Sequence, residues 1–281
     1  MPVLIDAIET GTWKTPKDWR DVTIAECQQE KISLKYQLSP PIMITGFNLL
    51  DIGNHSNGKQ IRAYCHASDI GSYTFTLHSD TWADGWLASS VISWLAIPPS
   101  TTGILAGTCE VRPMNAPGAH STHVAFQGAF SYEPKIFLCL NYVDFGGNWR
   151  IGTWPENITR TGFDAVFESR GHDEAALYAA GGSWLAYESG KENIKSGNID
   201  VEWVPAGSSQ KSGVVYFDQP FRTAPSVFVG LTQIISHTEF NLRISVEVRS
   251  VEKDRFDWVM YGWSDSLNFE IGAAWLAFVQ E

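Results

Sequence analysis

Apolar and polar positions alternate in short runs along the whole chain. In Leu242-Arg243-Ile244-Ser245-Val246-Glu247-Val248-Arg249 the apolar residues fall on one side of an extended segment and the polar residues on the other. Phe256, Trp258 and Met260 against Asp257, Val259 and Tyr261 predict a following strand, and Ala273 to Phe278 predict a closing one. The segments are rich in β-branched and aromatic residues and are broken by Gly, Pro, Asn and Asp. No long stretch has a 3.6-residue period. The pattern predicts an all-β chain.

The same pattern is written three times. Ser93-Trp94-Leu95-Ala96-Ile97 returns as Ser183-Trp184-Leu185-Ala186-Tyr187 and as Ala274-Trp275-Leu276-Ala277-Phe278. Self-similarity at a fixed period sets the size of the folding unit. Upstream landmarks recur in order: Pro41, Pro134 and Pro225; then Gln60-Ile61-Arg62, Asn148-Trp149-Arg150 and Asn241-Leu242-Arg243; then Phe75, Phe163 and Phe256. Phe217 and Phe221 precede Pro225 as Phe126 and Phe130 precede Pro134, with Leu34 and Leu38 in the first copy. The expected modules span 1–98, 104–188 and 195–281, each with about six strands, the size of a small β-sandwich. Their linkers, around Pro98-Pro99 and Glu188-Ser189-Gly190, are too short for independent beads, so the modules should pack together.

Composition narrows the partners. A net charge of −11 and the lack of any basic run argue against nucleic acid. No stretch approaches the length of a membrane span, and the N-terminal residues lack a basic, then apolar, leader pattern. The expectation is a chain that does not insert into membranes and acts in the cytoplasm or after release without a signal peptide. Cys27, Cys65, Cys109 and Cys139 hold no equivalent places in the repeats and form no CxxC pair, so neither a disulfide framework nor a metal site nor a cofactor is expected. Twelve tryptophans and fifteen phenylalanines are more than three cores require, which leaves rings for surface work.

Taken in order, Phe217, Pro225, Leu231-Thr232-Gln233, Asn241-Leu242-Arg243, Phe256, Trp263 and Trp275 resemble the H-type lectin domain, with weaker passes through the other two copies. The resemblance implies six-stranded antiparallel β-sandwiches, a three-fold assembly, and galactose or N-acetylgalactosamine (GalNAc) bound between neighbouring modules. Three copies in one polypeptide further suggest a monomeric pseudo-trimer, or a small homo-oligomer of it, since a tether makes assembly intramolecular. Glycans or glycoconjugates ending in Gal or GalNAc are the expected partners.

The resemblance also carries sugar-contacting positions onto this sequence. The central-strand arginine maps to Arg62, Arg150 and Arg243. The aromatic twelve residues before the signature tryptophan maps to Trp82 and Trp263, with His172 in copy two; the next position holds Ala83, Asp173 or Ser264. Six before the tryptophan stand Ala88, Tyr178 and Phe269, and ten before it an acid recurs as Asp84, Glu174 and Asp265. Asp21 matches an aspartate in the first loop of copy one, while the corresponding loops 115–121 and 206–211 have none. Arginine offers a rigid fork of donors, a carboxylate accepts from vicinal hydroxyls, and an indole packs on the C–H face of a pyranose. The arginines could instead form inter-module salt bridges, and Trp94, Trp184 and Trp275 are expected in the core.

No carboxylate pair, nucleophile or base recurs in a catalytic context, so catalysis is not expected. The alternative to a lectin is a non-catalytic structural or receptor-tip scaffold with degenerate sugar sites. A role in defence rests on analogy alone.

Overall fold

A computed structural model describes residues 7–53, 60–147, 149–169, 176–204 and 210–280. Among them the regular structure is entirely β. Copy one forms β1 (Glu9–Lys14), β2 (Gln28–Ser33), β3 (Ile42–Ile52), β4 (Ile61–Ser68), β5 (Thr74–Asp80) and β6 (Leu87–Ile97). Copy two forms β7 (Ile104–Val111), β8 (Gly118–Ala125), β9 (Lys135–Gly146), β10 (Trp149–Thr159), β11 (Gly162–Ser169) and β12 (Ala176–Tyr187). Copy three forms β13 (Ile194–Val204), β14 (Gln210–Tyr216), β15 (Ser226–Ser236), β16 (Leu242–Val251), β17 (Arg255–Tyr261) and β18 (Asn268–Phe278).

Each copy splits its strands three and three between two layers, and each layer continues into a neighbouring copy. The three sheets run β1-β6-β3-β16-β17-β14, β13-β18-β15-β10-β11-β8 and β2-β5-β4-β9-β12-β7. Copy one thus meets copy three through β3 and β16, copy three meets copy two through β15 and β10, and copy two meets copy one through β9 and β4. The cycle closes, and every pairing at a seam is antiparallel.

Within a copy, the signature tryptophan lies between the layers. Trp94, Trp184 and Trp275 are each about nine-tenths buried or more, at 8% exposure. Each pairs across the ladder with a glycine, Gly11, Gly107 or Gly197, and its indole covers that glycine where a Cβ would stand only 2.7–3.1 Å from the ring. Phe75, Phe163 and Phe256 from the facing layer meet these indoles edge-on at 5.1–5.7 Å, the favoured arrangement of two ring quadrupoles. The anticipated Phe126, Phe130, Phe217, Phe221, Leu34 and Leu38 are all buried in the same core. Ser245 departs from the alternation: it is buried, because its polar face lies where β16 joins β3 and Leu49 stands opposite.

A second cluster fills the centre of the ring. Ile44, Phe137 and Phe228 occupy equivalent positions on β3, β9 and β15, opposite Leu95, Leu185 and Leu276. Two residues on, the repeat reads Gly46, Cys139 and Gly230. The one sulfur takes the space that both glycines leave open, since a Cβ at Gly46 would lie 2.7 Å from Cys139 Sγ and one at Gly230 2.8 Å from Cys139 Cβ. Burial pushes the Cys139 thiol far above its ordinary range, so it packs as an apolar group.

Gly46→Ala is therefore expected to lower stability by about 1–3 kcal/mol through overpacking. Cys139→Ala in the same chain should recover most of that loss by removing the sulfur. Denaturant midpoints of the two single variants and the double variant check this; an unaffected Gly46→Ala midpoint would contradict the packing.

Candidate functional site

The seams bring the sequence-identified residues together, and they do so by strand register. At the start of each inner strand the central arginine stands opposite a residue of the neighbouring copy: Arg62 opposite Asp144, Arg243 opposite Asp51, and Arg150 opposite Ile235. In this register two seams set the arginine opposite an acid, and the third sets it opposite an apolar residue.

At the first of these, Arg62 Nε lies 3.3 Å from Asp144 Oδ1 and Nη1 pairs with Asp84 of its own copy. At the second, Arg243 Nε donates to Asp51 Oδ1 at 3.1 Å and Nη1 pairs with Asp265, which also accepts from Asn241 Nδ2 at 3.2 Å. The indoles complete both sets. Trp82 stands beside Asp144 and Trp263 beside Asp51, and each indole favours the charged form of the carboxyl next to it, an influence that its one polar group, the N–H donor, can exert.

Short turns after β5 and β17 aim these side chains. Gly85 N–H donates to Trp82 O at 2.9 Å, and Ser266 N–H to Trp263 O at 3.3 Å. Between them Ala83 and Ser264 take φ of +56° and +57°, a conformation uncommon for residues with a Cβ. The turns are anchored to the arginine strand: Thr81 Oγ1 donates to Arg62 O at 2.7 Å, and Asn268 Nδ2 donates to Arg243 O at 3.2 Å.

The two seams match in electrostatics as well as geometry. The Arg62 and Arg243 side chains are 15% and 16% exposed and their cross-seam acids Asp144 and Asp51 15% and 14%, whereas Asp84 and Asp265 are 45% and 44% exposed. Burial raises the Asp51 and Asp144 carboxyls above the ordinary aspartate range, with the arginine beside each pulling the other way. For Asp265, burial is outweighed by its own backbone N–H together with Arg243 and Asn241, which hold it low. Each seam therefore has an inner carboxylate that orients the arginine and indole, and an outer one that faces solvent with lone pairs to spare.

The remaining positions are less gathered. His172, with Asp173 and Glu174, lies outside the described residues. Tyr178 and Phe269 are partly buried and, like the buried Ala88, occupy the extra residue of a β-bulge in the last strand of their copies. Ser264 is exposed at its turn. Asp21 is exposed on the β1–β2 loop, which is tied to the Trp82 turn by Ala25 N–H donating to Gly85 O at 2.9 Å and Trp86 Nε1 donating to Val22 O at 3.2 Å. The salt-bridge alternative for the arginines is realised at two seams, within the same cluster as the indoles.

Asp51 and Asp144 were not among the anticipated site residues. Their signal lies in the repeat, since they fall ten residues after Pro41 and Pro134, where the third copy has Ile235 after Pro225. A second cluster, which nothing in the linear order of the chain marks, forms where β4 and β5 bring His66, His78 and Asp80 together.

Removing an inner carboxylate should weaken the seam it spans. Asp51→Ala and Asp144→Ala are each expected to cost about 1–3 kcal/mol by leaving a largely buried guanidinium underpaired. Ile235→Ala, which breaks no ion pair, should not show the salt dependence of the other two. Urea unfolding at low and high ionic strength distinguishes them.

Comparison with known proteins agrees with the repeated architecture. The family model described as H-type lectin domain matches residues 35–97, 121–187 and 212–278. A search of curated proteins found no match. Solved structures similar to this chain include native recombinant discoidin II of Dictyostelium discoideum, 15% identical, covering 65% of this chain and 95% of that one with a TM-score of 0.25. Wild-type discoidin II from the same organism is 15% identical, covering 65% of this chain and 94% of that one with a TM-score of 0.26. Three matches that together span more than half of the sequence establish that the chain belongs to the H-type lectin domain family.

Proposed function

We propose that this chain is a non-catalytic lectin that binds glycans ending in galactose or GalNAc at two of its three seams. The observation that carries the reading is the twofold recurrence of one constellation, Arg62, Trp82 and Asp84 with Asp144, and Arg243, Trp263 and Asp265 with Asp51. The outer carboxylate accepts from two vicinal sugar hydroxyls, the guanidinium donates to a ring or hydroxyl oxygen, and the indole offers its apolar face to the pyranose C–H groups. The inner carboxylate touches none of the sugar; it fixes the arginine and indole before binding, which reduces the ordering cost on association. Trp82 continues onto Tyr142 at 5.5 Å and Trp263 onto Tyr261 at 6.0 Å, so each seam presents more than one ring to a glycan.

The third seam reads differently. Arg150 faces Ile235, so the cross-seam acid of the other two is replaced by an apolar side chain. That seam supports the scaffold alternative locally: its contribution is to close the ring, while the other two carry ligand. We further propose that the closed chain works as a pseudo-trimer in one polypeptide, where the tether raises the effective concentration of each neighbour.

A glycan array tests the assignment. Trp82→Ala with Trp263→Ala is expected to weaken binding to Gal- or GalNAc-terminated glycans about tenfold or more, the equivalent of about 1.4 kcal/mol, while circular dichroism stays that of the parent. Binding that survives both changes, or no binding of the parent to any glycan, would favour the scaffold reading instead.

A further inference from the structure

Copy one carries a cluster of donors that the sugar site does not use. The β4–β5 register sets His66 directly opposite His78 and Tyr64 opposite Asp80, all on the outward side of the ladder. The imidazoles of His66 and His78 stack with centroids 4.4 Å apart and planes 2° from parallel, and His66 Nε2 lies 2.9 Å from Asp80 Oδ2. One donor atom from each of the three residues falls within 4.8 Å of the other two. The exposed Cys27 thiol borders Asp80 and donates to Thr81 O at 3.6 Å.

A cross-strand histidine pair could be a packing accident, but the repeat argues otherwise. The same ladder positions hold Trp154, Val166 and Glu168 in copy two and Glu247, Val259 and Tyr261 in copy three. The fold therefore needs no histidine or aspartate at these places, and copy one alone has acquired all three. On the next strand Ala119 stands opposite Glu168 in copy two and Gln210 opposite Tyr261 in copy three, whereas in copy one Cys27, just before the Gln28–Ser79 pair, borders Asp80. The surroundings also hold the ligands in place. Ser68 Oγ lies 2.7 Å from His78 Nε2, and Tyr64 stacks on His66 at 4.5 Å, the kind of outer contact that orients metal-ligating rings.

We propose that the outer face of copy one binds a zinc ion through His66, His78 and Asp80, with the fourth position open towards Cys27. Two imidazoles, one carboxylate and a neighbouring thiol form a borderline-soft donor set that suits zinc and not calcium or magnesium, which take oxygen ligands. On binding, His66 Nε2 and Asp80 Oδ2 each give a lone pair to the ion in place of the hydrogen bond between them, and the displaced proton moves to Nδ1 or to solvent. Ligand distances of about 2.0–2.1 Å need rotation of the imidazoles out of their stack, with no change in strand register. At 27% and 23% exposure, His66 and Asp80 are open to an entering ion without lying free in solvent.

Titration calorimetry of the chelator-treated full chain with zinc chloride is the test, run beside His78→Val, which installs the residue that both other copies carry. The expected result is one saturable zinc ion per chain, at least tenfold weaker binding in His78→Val, and a zinc-induced rise in Tm in the parent but not in the variant. Equal zinc binding by parent and variant, or no saturable binding by the parent, would overturn the proposal. An unaltered circular dichroism spectrum of His78→Val excludes loss of fold as the cause of weaker binding.

Discussion

Everything distinctive about this molecule depends on short antiparallel pairings in which one copy's inner strand meets that of the next. In β16 against β3 only Leu242 to Ser245 pair with Ile52 to Leu49, yet that stretch extends a half-sheet of copy one into copy three. The same occurs twice more around the ring. Because each layer is shared, a copy on its own would expose a strand edge and one face of the central cluster. The candidate site is a by-product of that constraint. A register that sets Arg243 opposite Asp51 also sets Trp263 beside the same carboxylate, so the seam that holds the ring together gathers the arginine, the indole and the acid.

The repeated pattern makes the three positions comparable, and their differences are chemical. Copy one and copy three hold the same arginine, indole and pair of acids, with nearly equal exposure of every charged group. Copy two meets Ile235 instead. A tether permits such divergence, because a seam no longer has to be identical to its neighbours for the ring to close. The centre of the ring diverged in the same manner: one cysteine against two glycines fills a space that three identical residues could not fill as closely.

Much of the fold was legible in the sequence. Alternation gave the strands, the Trp-Leu-Ala period gave the unit, and the glycine opposite each signature tryptophan accounts for why that indole can lie between the layers. What could not be read was which strand meets which across the seams, because short non-local pairings leave no periodic trace. For that reason Arg62 and Arg243 were recognised while Asp144 and Asp51, which orient them, were not. Trp82 and Trp263 were singled out through the family resemblance, and Asp84 and Asp265 through the recurrence of an acid ten residues before the signature tryptophan. His66 and His78 escaped notice because they are twelve residues apart in sequence and adjacent only through the β4–β5 register.

The proposed lectin role requires ligand at the two acid-paired seams and not at the third. Calorimetric titration of the full chain with GalNAc, or with galactose if that binds more tightly, measures this directly through its stoichiometry. Two sugars per chain, falling to one in either Arg62→Ala or Arg243→Ala and unchanged in Arg150→Ala, is the predicted result. Loss of a site in Arg150→Ala, or two sites persisting without Arg62 or Arg243, would contradict it.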